Sequence, residues 1–161
     1  MNSQIFTLNL NLFADYFQIY LEDENNGENL SDSWTDEAVR SMLTVTNTTI
    51  GIGTVRNMDV PVTLNIFNSK PEIKNELENI DQINECDIEI MSGKFVIAGC
   101  TDYYPDAKRI EVENGIYRLR IYYGNLDKLS DDGLDGDDFY IIDMWQTNIK
   151  TGVNIIKQRA E

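Results

Sequence analysis

Apolar and polar residues alternate at every second position through most of this chain. The clearest example covers residues 6–12, where one phenylalanine and three leucines alternate with a threonine and two asparagines. Such a period places apolar side chains on one face of a β-strand and polar side chains on the other. Similar runs predict further strands at residues 17–21, 50–54, 60–67, 86–91, 94–99, 109–113, 116–123 and 139–145.

Two glycine-containing dipeptides predict β-hairpins between consecutive strands. Ser92-Gly93 lies between the fifth and sixth strands, and Asn114-Gly115 lies between the seventh and eighth. Asn-Gly readily supplies the positive φ angles of a type I′ turn, whose twist matches that of the flanking strands. Pro61 cannot donate to a ladder of hydrogen bonds, so we expect its strand to start at an edge or a bulge.

Only two segments have a helical pattern. Ser33 is the predicted N-cap of a helix over residues 34–42, with Asp36 and Glu37 in the first turn, where the helix dipole favours anions. A second short helix is predicted within residues 69–80.

Many short strands with few helices predict an all-β fold. The expected architecture is an antiparallel β-sandwich of about eight or nine strands with one or two short helices. No internal repeat or linker interrupts the chain, so we expect residues 1–161 to form a single domain.

The amino-acid composition excludes several classes of function. The chain has 28 acidic and 13 basic residues, a formal net charge of -15 and no histidine. We therefore expect no nucleic-acid binding, no attachment to an anionic membrane, and none of the usual histidine-containing catalytic or zinc sites. No secretory signal or membrane span is apparent, which indicates a cytoplasmic protein.

Cys86 and Cys100 are the only cysteines. Two interpretations are open for them: a disulfide between neighbouring strands, or free thiols in a cytoplasmic protein. We favour free thiols. The oligomeric state is left open by the sequence.

The acidic residues are concentrated in three segments that the pattern indicates to be rich in loops. Residues 22–37, 72–89 and 127–143 hold 21 of the 28 acids and carry net charges of -7, -6 and -6, so the remainder of the chain carries +4. One interpretation is solubility. The other is a negative face for a basic protein partner, because such a face steers association and imitates the phosphates that a nuclease binds.

The densest acidic stretch, residues 131–138, raises a second functional hypothesis. Asp131, Asp135 and Asp137 are oxygen ligands of the kind that calcium prefers, although their spacing does not match an EF-hand loop. The alternative function is therefore a calcium- or carbohydrate-binding module without catalytic activity. The tyrosine pairs at 103–104 and 122–123 are the candidate sugar platform, or simply cross-strand packing.

No motif indicates an enzyme. The chain lacks GxGxxG, Walker, SxxK and GxSxG motifs, and pairs of carboxylates arise by chance among 28 acids. We expect no catalytic residue and no cofactor. Trp34, between an acidic stretch and the first helix, has two interpretations: a residue that plugs the core, or an anchor at a binding interface.

Four pieces of the sequence resemble, in the same order, the ComJ family, the DNA-entry nuclease inhibitors of competent bacilli. They are DYFQIYLEDE, SWTDEAV, GIYRLR and DDFYIID, at residues 15–24, 33–39, 115–120 and 137–143. They are spread over most of the chain.

This resemblance implies a small cytoplasmic competence protein of bacteria that binds and inhibits a nuclease made by the same cell. Similar acidic all-β proteins also act as immunity proteins against toxins, so the implied partner is a basic nuclease or toxin. Together with the charge distribution, the resemblance implies a set of hypothetical contact residues. They are Trp34, Asp36, Glu37, Asp131, Asp132, Asp135, Asp137 and Asp138.

Overall fold

The computed structural model describes residues 4–25, 30, 32–74 and 78–160. Eleven strands and one α-helix make up most of this part of the chain, together with two short 3-10 turns at Asp15–Phe17 and Tyr104–Asp106. The elements are β1 (Gln4–Phe13), β2 (Gln18–Asp23), α1 (Asp36–Ser41), β3 (Leu43–Val45), β4 (Thr49–Gly53), β5 (Asp59–Phe67), β6 (Ile80–Ile90), β7 (Lys94–Gly99), β8 (Lys108–Glu111), β9 (Gly115–Gly124), β10 (Phe139–Thr147) and β11 (Asn154–Lys157).

The strands form two sheets that enclose one principal core. The larger sheet has the order β1-β5-β10-β9-β6-β11, and the smaller has the order β3-β4-β2-β7-β8. Both sheets contribute buried aliphatic side chains to this core. The predicted all-β fold with few short helices is confirmed. It differs from the prediction in having eleven strands, and in the parallel pairing of β5 with β10 within an otherwise antiparallel larger sheet.

Both predicted hairpins are wrong, because β6 and β7, and likewise β8 and β9, belong to different sheets. Gly93 and Gly115 have positive φ angles of 77° and 148°, but neither Ser92 nor Asn114 has a positive φ. Neither dipeptide therefore forms the type I′ turn that would pair its strands. The chain instead crosses between the sheets at each glycine.

The buried carboxylate of Asp23 stabilises the first of these crossings. Its Oδ1 accepts hydrogen bonds from the amides of Met91 and Ser92, at 3.0 and 3.1 Å, and from the Ser92 hydroxyl at 2.9 Å. Because Asp23 ends strand β2 of the smaller sheet, these bonds fasten the end of β6 to the opposite layer.

The helical predictions are partly confirmed. Helix α1 is present, with Asp36 and Glu37 in its first turn, but its N-cap is Thr35, whose Oγ1 accepts from the Ala38 amide at 3.1 Å, and not Ser33. Residues 69–74 and 78–79 are not helical, and residues 75–77 lie outside the described part. No helix in the described ranges is long and apolar enough to cross a membrane.

Pro61 lies within an internal strand and not at the edge of the sheet. It pairs with Asn11 of β1, whereas β10 pairs with β5 only from Val62 onward. Pro61 therefore lies one residue before the stretch of β5 that pairs with β10, so its missing amide removes no hydrogen bond to β10.

A row of polar side chains crosses the outer face of the larger sheet. Asn65, Asp143, Arg120 and Glu85 occupy paired positions on β5, β10, β9 and β6. Asn65 Nδ2 donates to Asp143 Oδ1 at 2.9 Å, and Arg120 Nε donates to Glu85 Oε2 at 2.7 Å. All four residues are buried. We call this row, together with the adjacent pair Arg118 and Asp87, the charge ladder.

Two segments without regular structure cover the charge ladder and bond to it. Lys74 Nζ lies 2.8 Å from Asp143 Oδ2, and the Pro71 carbonyl accepts from Arg120 Nη1 at 2.9 Å. On the other side the amides of Thr151 and Gly152 donate to Asp87 Oδ2 at 2.9 and 2.6 Å. The ladder thus organises the covering loops as well as the sheet.

The two cysteines are free, as expected. Cys86 is buried in β6, whereas Cys100 follows β7 in the other sheet, and its Sγ donates to the Asp15 carbonyl at 3.2 Å. Burial raises the pKa of the Cys86 thiol to about 12. The thiolate, which is the reactive form, is therefore scarce at neutral pH.

Removing one charge from the ladder should destabilise the fold strongly. Arg120→Met leaves Glu85 buried beside a single remaining arginine, and we expect the free energy of unfolding in urea to fall by about 3–5 kcal/mol. The control is Lys150→Ala, which breaks the more exposed pair of Lys150 with Glu89 and should cost no more than about 1 kcal/mol. Equal losses in the two variants would contradict this role of the ladder.

Candidate functional site

Ion pairs neutralise part of each acidic segment, which the sequence alone did not reveal. Glu24 pairs with Arg109 and Asp138 with Arg56, both at 2.6 Å. The segment at residues 72–89 is mostly strand β6 and not loop, and three of its acids pair with basic residues. Among the described residues of these three segments, the solvent-exposed acids are Asp32, Asp36, Glu37, Glu72, Glu78, Asp127, Asp131, Asp132, Asp135 and Asp137.

Parts of the three acidic segments meet at one end of the sandwich: helix α1 from the first, the start of β6 from the second and the loop before β10 from the third. Asp23 and Glu24 of the first segment lie at the other end, where they bond to Ser92 and Arg109. The Leu126 amide donates to Asp81 Oδ2 at 2.8 Å, which joins the second segment to the loop that contains the third. The third is joined to the β4–β5 connection by the pair of Arg56 with Asp138. The amide of Gly53, at the end of β4, donates to the carbonyl of Met42, which caps helix α1 of the first segment.

We call this end of the molecule the acidic end. It comprises residues 14–17, 32–42, 53–58, 78–81 and 125–138. It contains every hypothetical contact residue from the sequence, with Trp34, Asp36 and Glu37 on one side of the β4–β5 connection and Asp131–Asp138 on the other.

Helix α1 presents acidic and apolar residues together. Asp36, Glu37 and Val39 are exposed, Val39 by 56%. Residues three apart on a helix are neighbours on its surface, so Asp36 and Val39 lie side by side. Trp34, just before the helix, is half-buried and packs on Gly51, where a Cβ atom would lie 2.9 Å from the indole ring.

The loop at residues 125–138 is held by its own hydrogen bonds. Asp132 Oδ1 accepts from the Ser130 hydroxyl at 2.6 Å and from the Leu134 amide at 3.0 Å, and these bonds hold the pKa of Asp132 below its ordinary value. Asp138 differs from the other candidates, because it is buried and accepts from Arg56 and from the Tyr140 hydroxyl.

The calcium hypothesis gains no support from this loop. Asp131, Asp135 and Asp137 are exposed. Within the described residues no group of three or more acidic or cysteine side chains is arranged to hold a metal ion. The tyrosines of the candidate sugar platform also differ in their exposure to solvent. Tyr122 and Tyr123 are buried, whereas Tyr103 is 71% exposed.

An apolar cavity of about 330 Å³ opens at the acidic end. Tyr16 and Phe17 line it from the β1–β2 connection, and Trp34 and Val39 line it from the region of helix α1. Tyr16 and Phe17 are 68% and 50% exposed. Among the described residues, the buried Trp34 indole Nε1 has no partner at hydrogen-bonding geometry. It lies close enough to Tyr20 to oppose the rise that burial causes in the Tyr20 pKa.

Tyr16 and Phe17 are held in the left-handed region, with φ angles of 56° and 62°. This conformation costs roughly 1–2 kcal/mol for each residue with a Cβ atom. Three backbone contacts enforce it: the Ala14 amide donates to the Met58 carbonyl, the Phe17 amide to the Ala14 carbonyl, and the Thr54 amide to the Phe17 carbonyl, each at 3.0 Å. Strained backbone conformations cluster at functional sites such as ligand clamps.

Sequence reasoning did not identify Tyr16 and Phe17 as candidate contact residues. Phe17 is predicted only as the first residue of a strand. The conformation follows from topology, because β1 ends in the larger sheet and β2 begins in the smaller sheet with only four residues, 14–17, between them. No local signal in these residues predicts that crossing.

Comparisons with known proteins identify this fold. No family model matches the chain, and no curated protein matches it in sequence. The solved structure of ComJ from Bacillus subtilis, described as an inhibitor of the DNA degrading activity of NucA, superposes with a TM-score of 0.63 at 19% identity, covering 91% of this chain and 99% of ComJ. The product of crocagin biosynthetic gene J superposes with a TM-score of 0.56 at 18% identity, covering 92% of this chain and 99% of that protein. The chain therefore has a ComJ-like fold.

If the left-handed conformation is strained, glycine at position 16 should relieve it. We expect Tyr16→Gly to raise the free energy of unfolding by about 1 kcal/mol. The matched control is Tyr103→Gly, because Tyr103 is also exposed but has a φ of -66°, so glycine there should lower the unfolding free energy by roughly 0.5–1 kcal/mol. A loss of stability in Tyr16→Gly as large as in Tyr103→Gly would contradict the strain.

Proposed function

We propose that this protein is an inhibitor that binds a bacterial nuclease and blocks its DNA-binding groove with the acidic end. The observation that carries the proposal is that parts of three acidic segments meet at the end of the sandwich where a cavity edged by exposed aromatic rings opens. The proposed contacts are Tyr16, Phe17, Trp34, Asp36, Glu37, Val39, Asp131, Asp132, Asp135 and Asp137. Asp138 is left out of this set because it is buried against Arg56.

The mechanism is electrostatic and steric. A nuclease presents basic side chains that bind DNA phosphates, and exposed carboxylates at the acidic end offer those side chains an alternative anion. Tyr16, Phe17 and Val39 add apolar area, which excludes water from the neighbouring charge pairs and strengthens them. The nuclease is occluded without any covalent step, and no cofactor is needed.

Similarity to ComJ supports the same proposal from a different direction. ComJ is an inhibitor of a DNA-degrading protein, and its fold extends over 91% of this chain. The acidic character, the lack of basic patches and the cytoplasmic location expected from the sequence agree with a protein that restrains a nuclease inside its own cell.

The proposal is tested by capture from the native host followed by an activity assay. The immobilised chain should retain a nuclease or a nuclease toxin, identified by mass spectrometry. Adding equimolar chain to that purified nuclease should then suppress DNA degradation. Recovery of no nuclease, or of one whose activity the chain leaves unchanged, would overturn the proposal.

Charge at the acidic end should govern the association rate. We expect Asp135→Asn together with Asp137→Asn to slow association with the captured nuclease by about 3- to 10-fold in low salt, and to flatten its dependence on salt. The matched control, Glu111→Gln with Glu113→Gln, removes the same charge from exposed residues at the opposite end of the sandwich. If both double variants slow association equally, net charge and not its location is responsible.

A further inference from the structure

The four strands at the sheet edges differ in how they are protected against pairing with another chain. Strand β3 has only three residues, and β8 and β11 have four residues each and carry lysine or arginine. Strand β1 has ten residues without a single charge, proline or glycine, in a chain of which 25% is charged. Short length and charge are the usual protections of an edge, and β1 has neither.

The surroundings of β1 are apolar and open to solvent. In the described part of the chain, β5 is the only strand that pairs with β1. Phe6 is 38% exposed, and Leu8 and Leu10 are only half-buried against the core. A cavity of about 650 Å³ lies between β1 and β8. Its apolar lining includes Phe6, Ile66, Ile110, Val112 and Tyr117, and β8 adds charged residues such as Lys108 and Glu111.

We propose that the edge of β1 that faces away from β5 pairs with β1 of a second copy, antiparallel and around a two-fold axis at Asn9. The dimer would join the two larger sheets into one continuous sheet across the axis. This inference does not rest on the nuclease-inhibitor function.

The sequence of β1 is self-complementary about Asn9. Apolar residues occupy positions 6, 8, 10 and 12, and neutral polar residues occupy positions 7, 9 and 11. In an antiparallel pair, directly opposite residues share a face. Leu8 then lies opposite Leu10 of the partner subunit, and Phe6 lies opposite Leu12 of the partner subunit, so the apolar face that is half open in one copy is covered by the same face of the other.

Register and charge both favour this arrangement. The ladder of β1 with β5 is regular from Phe6 to Phe13, so registers centred on Asn9 and on Leu10 each pair seven residues. Only the register centred on Asn9 pairs apolar with apolar and polar with polar residues throughout, because the other places Phe13 opposite Thr7 of the partner subunit. Strand β1 runs toward the acidic end, which begins at Ala14. Antiparallel pairing therefore places the acidic ends of the two copies at opposite ends of the dimer, where their repulsion is weakest. Both acidic ends remain accessible.

Sedimentation equilibrium of the full chain over micromolar concentrations tests the proposal. The wild-type protein should have the mass of a dimer. Asn9→Lys places two ammonium groups against each other at the axis and should weaken dimerisation at least tenfold, whereas Asn148→Lys, at an exposed position outside the strands, should leave the dimer intact. A wild-type monomer at every concentration, or a dimer that Asn9→Lys does not weaken, would overturn the proposal.

Oxidative cross-linking tests the register without destabilising the edge. Opposite Cα atoms in an antiparallel pair lie about 4.5–5.5 Å apart, within the range that a disulfide spans. Asn9→Cys should therefore cross-link two copies under mild oxidation. Asn11→Cys faces Thr7 of the partner subunit and should not, and neither should the wild-type protein with its own two cysteines. Equal cross-linking at positions 9 and 11 would contradict the two-fold axis at Asn9.

Discussion

The charge ladder across the outer face of the larger sheet is the interaction on which the rest of this structure depends. It holds four neighbouring strands in register and binds the two segments that cover them, through Lys74 on one side and Gly152 on the other. Removing one member of a row of buried ion pairs is strongly destabilising, because it leaves an uncompensated charge in the interior that costs several kcal/mol. The ladder therefore specifies one arrangement of sheet and loops.

The buried ion pairs leave the acid surplus of the chain among its exposed residues. Arg118 and Arg120 are buried in the ladder, and Arg56 is buried with Asp138 beneath the acidic end. Each of these arginines is matched by a buried carboxylate, so none is left to neutralise the exposed ones. At the crossing of residues 14–17, where the chain passes between the sheets, exposed acids lie near two strained aromatic residues.

Particular residues show how far the sequence could predict this outcome. Alternation predicted the strands, because burial of one face imposes a period of two. A separate capping pattern placed Asp36 and Glu37 in the first turn of a helix. Alternation could not decide which strands pair, so both glycine turns were assigned to hairpins. Nor could it separate Asp138, buried with Arg56, from exposed Asp137. Pairing and burial are long-range properties, and neighbouring residues carry no signal for them.

The central claim is that the acidic end, with its apolar cavity, is the surface that contacts a nuclease. Hydrogen-deuterium exchange of the chain with and without the captured nuclease tests it most directly. The account predicts slower amide exchange on binding at residues 14–17, 34–39 and 125–138, and unchanged exchange at residues 108–115, at the opposite end of the sandwich. Protection confined to residues 108–115, with the acidic end unaffected, would contradict the account.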